Sequence, residues 1–167
     1  QVSLQNPNFV IACTWEIELK PHVLYSGRMG SGIYLSSDNG KTFAKVTHPG
    51  LPKSPYGKTD VAIAPSNGNR MYALIQTGRD GVKGLKSEAQ GSLWRSDDAG
   101  KTWANVSWDR RLIGRAGYYI RIRVSPDDPD HVLIANSTLW RSRDGGKIWA
   151  GGGGGCGDCH DIWWDTT

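Results

Sequence analysis

The sequence predicts an all-β fold of short antiparallel strands arranged in repeating units, and three observations carry that expectation. First, an eight-residue pattern, S-x-D-x-G-x-[TI]-[WF], is written three times, at 36–43, 96–103 and 142–149, each time directly after a short strand-like run. Second, the 167 residues include 22 Gly, 8 Trp and 6 Tyr but only 2 Phe and 2 Met, a composition that suits many short strands joined by tight turns and pinned by large aromatics. Third, no long stretch carries a helical period, so almost no helix is expected.

The positions of the repeated pattern make physical sense as a hairpin turn. A carboxylate at Asp38, Asp98 and Asp144 is placed to accept hydrogen bonds from backbone N–H groups ahead of it. Gly40, Gly100 and Gly146 supply a positive φ, and Phe43, Trp103 and Trp149 carry the next strand back into the core. Together with Ser36, Ser96 and Ser142, these residues are read as holding turns rather than performing chemistry.

The chain reads as one domain built from successive units: a partial one at 1–47, fuller ones at 58–108 and 118–150, and the start of another at 159–167. The first opens with Asn6-Pro-Asn8 and an apolar run from Phe9 to Trp15, then a polar, Gly-rich stretch at 20–31. The second gives strands at 60–65 and 71–75, a polar excursion at 76–91 and the hairpin. The third repeats this grammar, with Ser125-Pro126 and a second strand from His131 echoing Ala64-Pro65 and Met71. Four strands in about fifty residues is the spacing of a β-propeller blade. In 120–124 arginines alternate with Ile120, Ile122 and Val124, which sets an apolar face against Arg121 and Arg123; if the strand is innermost, these arginines face the central channel. A glycine run at 151–155 precedes 162–164, the expected first strand of a further blade. Rings commonly hold about four to eight blades, so the ring is expected to be incomplete in this chain, and the sequence to be part of a longer protein or a piece held by partner chains.

The repeated motif resembles the Asp-box, or BNR repeat, of sialidases, sortilin-type receptors and xyloglucanase-like proteins. The run ending in Ser36-Ser-Asp38, the Gly117-Tyr-Tyr-Ile-Arg-Ile122 strand, Trp140-Arg-Ser-Arg-Asp144 and His160-Asp-Ile-Trp-Trp-Asp165 resemble secreted bacterial propellers of the sortilin-like or "glycosyl hydrolase, BNR repeat" kind. The resemblance implies a propeller with structural Asp-boxes on its outer hairpins, in an extracytoplasmic protein. It fixes a fold more firmly than an activity, since the group includes binders of peptides and proteins beside sugar-processing relatives.

The chemistry-bearing residues are few. A glycosidase needs two carboxylates about 5 to 9 Å apart, and the free candidates are Asp60, Asp158, Asp161 and Asp165. The Phe-Arg-Ile-Pro signature of sialidases is absent. Cys156-Gly-Asp-Cys159-His160 fits C-x-x-C-H, which attaches c-type haem through two thioethers and a proximal imidazole; Met29, Met71, His22, His48 and His131 are the sixth-ligand candidates. A tight disulfide or free thiols are the competing readings, with a zinc site weaker still because no matching ligand pair is visible. Cys13 reads as a small buried hydrophobe. The sequons Asn105-Val-Ser107 and Asn136-Ser-Thr138 matter only in a eukaryotic secretory setting.

The net charge of +4 is mild. The basic cluster Arg110, Arg111, Arg115, Arg121 and Arg123 suits an anionic partner, but nothing joins it to a nucleic-acid-binding module. No apolar run approaches the roughly 18 residues of a membrane span. The expected function is therefore a non-catalytic binding or scaffolding module, its partner a protein, the rest of a longer propeller or a carbohydrate. The alternatives are a glycoside hydrolase of xyloglucanase-like type and a c-type haem electron-transfer subunit.

Overall fold

A computed structural model of the chain describes residues 1–78, 89–151 and 156–165. Much of the polar excursion at 76–91, most of the glycine run at 151–155 and the final two threonines lie outside the described residues.

The first strands are β1 (Val10–Thr14), β2 (Ile17–Lys20), β3 (Val23–Ser26), β4 (Gly32–Ser36) and β5 (Ala44–Lys45). β1, β4 and β5 form one antiparallel sheet, while β2 and β3 pair separately as a hairpin. That hairpin replaces much of the polar stretch expected at 20–31; its one pair of large aliphatic residues is Leu19 opposite Leu24. Next, β6 (Thr59–Ala64), β7 (Asn67–Ile75), β8 (Leu93–Ser96) and β9 (Ala104–Ser107) make a four-stranded antiparallel meander. The last sheet repeats it with β10 (Arg121–Val124), β11 (Val132–Ala135), β12 (Leu139–Ser142) and β13 (Ala150–Gly151). Residues 159–165 join no ladder, because no strand among the described residues lies beside them to pair with.

Strand register shows that the three sheets are one design. The motif serines Ser36, Ser96 and Ser142 stand opposite Val10, Met71 and Val132. Ile11, Tyr72 and Leu133 therefore hold equivalent places, as do Phe9, Arg70 and His131. In the first sheet the inner-strand position is taken by residues 1–3: Val2 bridges Val10, and the N–H groups of Ile11 and Ser3 donate to the carbonyls of Gln1 and Phe9, both at 2.9 Å.

The sheets stack through two apolar cores. Ile11, Ile33, Val61, Ile63, Met71 and Trp103 fill the first. Tyr72, Leu74, Leu93, Ile122, Val124 and Trp149 belong to the second. The period-two alternation of β6 serves both, sending Val61 and Ile63 into the first core and Ala62 and Ala64 into the second. Each fully buried large aliphatic side chain contributes about 1.5–3 kcal/mol. A 3₁₀ turn, Arg110–Ile113, is the one helical element among the described residues; it starts at Asp109, whose carboxylate accepts from Arg111 N–H at 3.0 Å, and it buries Leu112 and Ile113 completely. Asn136 fastens the turn: its Nδ2 donates to the carbonyls of Arg111 and Leu112 at 3.0 Å each, and its Oδ1 accepts from Trp140 Nε1 at 3.2 Å.

The three hairpin turns share one hydrogen-bond cage. In the second, Ser96 Oγ donates to Asp98 Oδ1 at 2.8 Å and accepts from Gly100 N–H at 2.9 Å. Asp98 Oδ1 accepts from Thr102 N–H at 2.8 Å, Oδ2 accepts the Thr102 hydroxyl at 2.6 Å, and Trp103 Nε1 donates to Gly100 O at 3.0 Å. Ser36, Asp38, Gly40 and Thr42 reproduce this arrangement. Ser142, Asp144 and Gly146 do so as well, except that Ile148 offers only its backbone N–H, at 3.0 Å. Trp149 Nε1 closes the third cage on Gly146 O at 2.9 Å. Trp103 and Trp149 are 4% and 7% exposed because the preceding sheet covers them, whereas Phe43 is 45% exposed.

Two predictions follow from the cage. Gly146 has φ +91°, and a Cβ there would stand 2.5 Å from Leu93 Cδ2 of the preceding sheet. Gly146→Ala is expected to cost about 2–4 kcal/mol through combined strain and overpacking. Gly157→Ala, which meets nothing within 4 Å, should stay within about 0.5 kcal/mol; urea unfolding measures both. The Thr42 and Thr102 hydroxyls, with the backbone N–H groups behind them, hold the Asp38 and Asp98 carboxyls down at about 2. Stability from these carboxylates is complete above about pH 4 and is lost as the pH falls toward 2. Thermal unfolding from pH 5 to 2 should show this loss, and Asp98→Asn should flatten it.

Candidate functional site

Where β6 and β10 begin, the connections 46–58 and 108–120, the loop 156–161 and the residues beside the β2–β3 hairpin bring charged and aromatic side chains together. At the centre is Asp60, second residue of β6. Its Oδ2 accepts the Ile122 N–H at 2.9 Å and faces Arg123 Nη1 at 3.6 Å. The other arm of the same guanidinium, Nη2, pairs with Asp161 Oδ1 at 2.7 Å. One arginine thus spans two carboxylates from consecutive inner positions of the stack. The Asp60 side chain is 13% exposed, and burial pushes its carboxyl up despite the Ile122 N–H and the charges of Arg121 and Arg123.

Arg121 lies on the same face of β10 as Arg123, the strand alternation having turned Ile120, Ile122 and Val124 into the core. Its Nε is enclosed and has no hydrogen-bond partner among the described residues. Lys58, two residues before Asp60, sits 4.1 Å over the Trp15 ring and donates to Tyr118 O at 3.0 Å. Burial, followed by the like charge of Arg121, pulls its ammonium below the usual lysine range. Trp15 is held by a relay in which its Nε1 donates to Ser26 Oγ at 2.9 Å and Ser26 donates to Gln76 Oε1 at 2.8 Å. Gln76 is fully buried and its Nε2 is unpartnered among the described residues. Cys13 lies nearby with its Sγ donating to Thr59 O at 3.1 Å; burial pushes this thiol up to about 11, which makes it unreactive.

The loop 156–161 closes one flank. Cys156 and Cys159 are joined as a disulfide with Cα atoms 5.8 Å apart, and Cys159 N–H donates to Asn136 O at 3.1 Å. Between the cysteines, Asp158 accepts the Tyr119 hydroxyl, which draws its carboxyl below the ordinary range. His160 stacks on Tyr119 with ring centres 4.1 Å apart and 21° between planes, its Nε2 3.6 Å from Asp158 Oδ2, and Tyr118 meets both rings edge-on. The two sulfurs that would form thioethers to a c-type haem are bonded to each other, and the imidazole that would bind iron lies flat on a tyrosine with its Nε2 beside a carboxylate. Of the other expected ligands, Met71 is fully buried in the first core and Met29 is 70% exposed. No cluster of three or more His, Cys, Asp or Glu able to hold a metal occurs among the described residues.

The structure therefore separates the residues that the sequence singles out. The Asp-box residues lie at the outer hairpins. Asp60 and Asp161 meet across Arg123, and Asp158 turns to Tyr119. The basic cluster is dispersed: Arg111 pairs with Asp109 and lies 4.6 Å over Trp140, and Arg110 donates to Thr77 O at 2.6 Å. Lys58, Trp15, Gln76 and Tyr119 are members of the site that sequence reasoning did not find. The one available signal was position: Lys58 and Tyr119 each stand one or two residues ahead of a strand that the repeat marks as innermost.

A cleft of about 330 Å³ lies elsewhere, on the outward face of the last sheet, lined by residues including His131, Leu133, Leu139, Arg141 and Trp164. The first four hold the register places of Arg70, Tyr72, Leu93 and Arg95, the face on which the second sheet receives the third. There Tyr72 donates its hydroxyl to Pro129 O at 2.8 Å and Arg70 pairs with Asp130. The cleft is thus a further copy of the packing face between sheets.

Removing the bridging guanidinium tests the electrostatics. Arg123→Ala takes one of two guanidinium groups from buried Asp60 and leaves Arg121 as its remaining cationic neighbour, so it should cost about 1–3 kcal/mol and push the Asp60 carboxyl still higher. Urea unfolding and an NMR titration of Asp60 read the two effects.

A family model described as the BNR-Asp box repeat matches residues 93–106, the second hairpin. Over 93 residues the chain is 36% identical to a xyloglucanase of Paenibacillus sp, an alignment covering 50% of this chain and 9% of that protein. Its fold matches a GH74 xyloglucanase from Xanthomonas campestris with a TM-score of 0.50 at 15% identity, covering 90% of this chain and 17% of the other. It also matches YCF48 bound to D1 peptide, with a TM-score of 0.53 at 16% identity, covering 90% of this chain and 46% of the other. The chain spans less than half the length of each of these proteins. With its repeated hairpins and stacked antiparallel sheets, the chain has the fold of Asp-box β-propeller blades, similar in sequence over half its length to a xyloglucanase and similar in fold to a GH74 xyloglucanase and YCF48.

Proposed function

We propose that this propeller portion is a non-catalytic binding module that holds an acidic segment of a protein partner where its inner strands begin. The observation that carries the reading is the state of Arg121: half-buried, its Nε enclosed and unpartnered, near Lys58, while the Asp60 and Asp161 carboxylates are engaged by Arg123. A carboxylate arriving from a ligand would meet the half-buried Arg121 guanidinium and the Lys58 ammonium in charge-assisted hydrogen bonds, with the enclosed Nε marking a guanidinium not used up by its neighbours. Two aromatic faces that a sugar ring would use are already occupied, Trp15 by Lys58 and Tyr119 by His160, which favours a peptide over a carbohydrate. A propeller of like fold is known bound to a peptide. The Cys156–Cys159 disulfide supports an extracytoplasmic setting, where such bonds persist. No helix among the described residues is long and apolar enough to cross a membrane.

A second reading, glycoside hydrolysis, is favoured by one observation: the carboxyl pushed up at Asp60 stands across the Arg123 guanidinium from Asp161, which brings two carboxyl groups of the kind a glycosidase uses to one place. The relative named a xyloglucanase gives this reading its substrate.

Titration calorimetry with a panel of Asp- and Glu-rich peptides decides between them. The binding reading expects saturable binding that Arg121→Ala weakens at least about tenfold, roughly 1.4 kcal/mol, with Asp60→Asn leaving xyloglucan turnover at background. No peptide binding, together with xyloglucan hydrolysis abolished by Asp60→Asn, would replace it with the second.

A further inference from the structure

The C-x-x-C pair is left without a role by the binding reading, and its surroundings give it one. We infer that Cys156–Cys159 is a reversible redox site, open to dithiol reductants, whose state decides whether Asp158 stays on Tyr119. The disulfide closes over two residues, Gly157 and Asp158, both exposed. A Cβ placed on Gly157 meets no atom of the described residues within 4 Å, so the ring is open on the Gly157 side among them. The inner side carries the consequence. Asp158, locked inside the ring, accepts the Tyr119 hydroxyl, and His160 directly after the ring lies over the Tyr119 face. Tyr119 is only 5% exposed under this cover.

The loop has three further anchors: Cys159 N–H on Asn136 O, Asp161 on Arg123, and the stacked imidazole. All of them fasten residues 159–161. Residues 156–158 are held by the disulfide and by the Asp158 carboxylate, which takes the Tyr119 hydroxyl, faces His160 Nε2 at 3.6 Å and lies in the field of Arg115. The redox step balances simply. A thiolate of the dithiol attacks one cysteine sulfur, the Sγ–Sγ bond breaks, and a mixed disulfide forms as the other cysteine leaves as thiolate. The second thiol of the reductant then displaces the first cysteine and closes the reductant's own disulfide. Two electrons pass to the protein, and the two cysteines take up two protons. Residues 156–158 are thereby released from the ring, Asp158 moves off the phenol, and the flank of the site beside Tyr118 opens. Cys13 takes no part, since it is held to Thr59 in the first core.

The phenol itself reports the switch. Burial, with the adjoining Asp158 carboxylate, holds the Tyr119 hydroxyl above the usual tyrosine range, so departure of Asp158 lowers it. The folded protein is treated with dithiothreitol, its accessible thiols are counted by alkylation and mass, and tyrosinate absorbance is titrated before and after, with Tyr119→Phe subtracted to isolate this residue. The expected result is two thiols gained and a downward shift of Tyr119 by about half a unit or more, matched without reductant by the Cys156→Ser/Cys159→Ser variant. A pair that resists reduction in the folded protein, or a Tyr119 titration identical in both redox states, overturns the inference. Neither outcome bears on peptide binding at Arg121, which calorimetry reads separately.

Discussion

The fold depends on a carboxylate caged at the end of a hairpin. At each Asp-box the aspartate accepts two or more hydrogen bonds from the residues that follow it, and the serine before it accepts from the glycine N–H, so the turn is satisfied by its own atoms. Because the cage is self-contained, the aromatic at its end is free to leave the turn and lie against the sheet before it. Trp103 and Trp149 do this, each tied back to the glycine carbonyl of its own cage. Neighbouring sheets thus meet through a residue whose place is set locally, and between the second and third sheets the polar contacts of Tyr72 with Pro129 O and of Arg70 with Asp130 are added to it.

That division of labour leaves the inner strands open to function. β6 and β10 are edge strands whose free backbone groups are met by side chains, as when Ile122 N–H donates to Asp60, and their apolar residues alternate into the two cores, so the remaining side chains at their leading ends are not needed for packing. Here those positions hold Lys58, Asp60, Arg121 and Arg123. One arginine satisfies two acids, and the remaining two cations lie close together with burial and mutual repulsion acting on Lys58. Such a set binds an anion more readily than it moves a proton, because its carboxylates already have partners.

The parts of this arrangement that were legible in the sequence are those governed by local rules. The hairpins could be read because S-x-D-x-G-x-[TI]-[WF] specifies its own turn geometry, and β10 because arginine and aliphatic residues alternate along it. The β2–β3 hairpin was obscured by the surrounding Gly and polar residues. The 3₁₀ turn was hidden by the arginines that flank Leu112 and Ile113, since its stability comes from a cap at Asp109 and a distant side chain, Asn136. The site was legible only in part. Asp60, Asp161 and the arginines were visible as candidates, but nothing in their spacing says that Arg123 joins two of the acids while Asp158 goes to Tyr119. Trp15 follows β1 and Lys58 precedes β6, and their meeting depends on how those two strands lie together, which no local pattern encodes.

The clamp at Asn136 has a consequence for how the protein could be made. Asn136-Ser-Thr138 is a glycosylation sequon, but the Asn136 Nδ2 donates both its hydrogens to the 3₁₀ turn and the residue is 1% exposed. In a eukaryotic secretory host the oligosaccharide would have to be attached to that nitrogen before the third sheet closed. A glycan there would take away the hydrogen bonds that seat Leu112 and Ile113. Glycosylation at Asn136 and correct folding of this sheet are mutually exclusive, so a bacterial periplasm is a safer place to produce the chain than an endoplasmic reticulum.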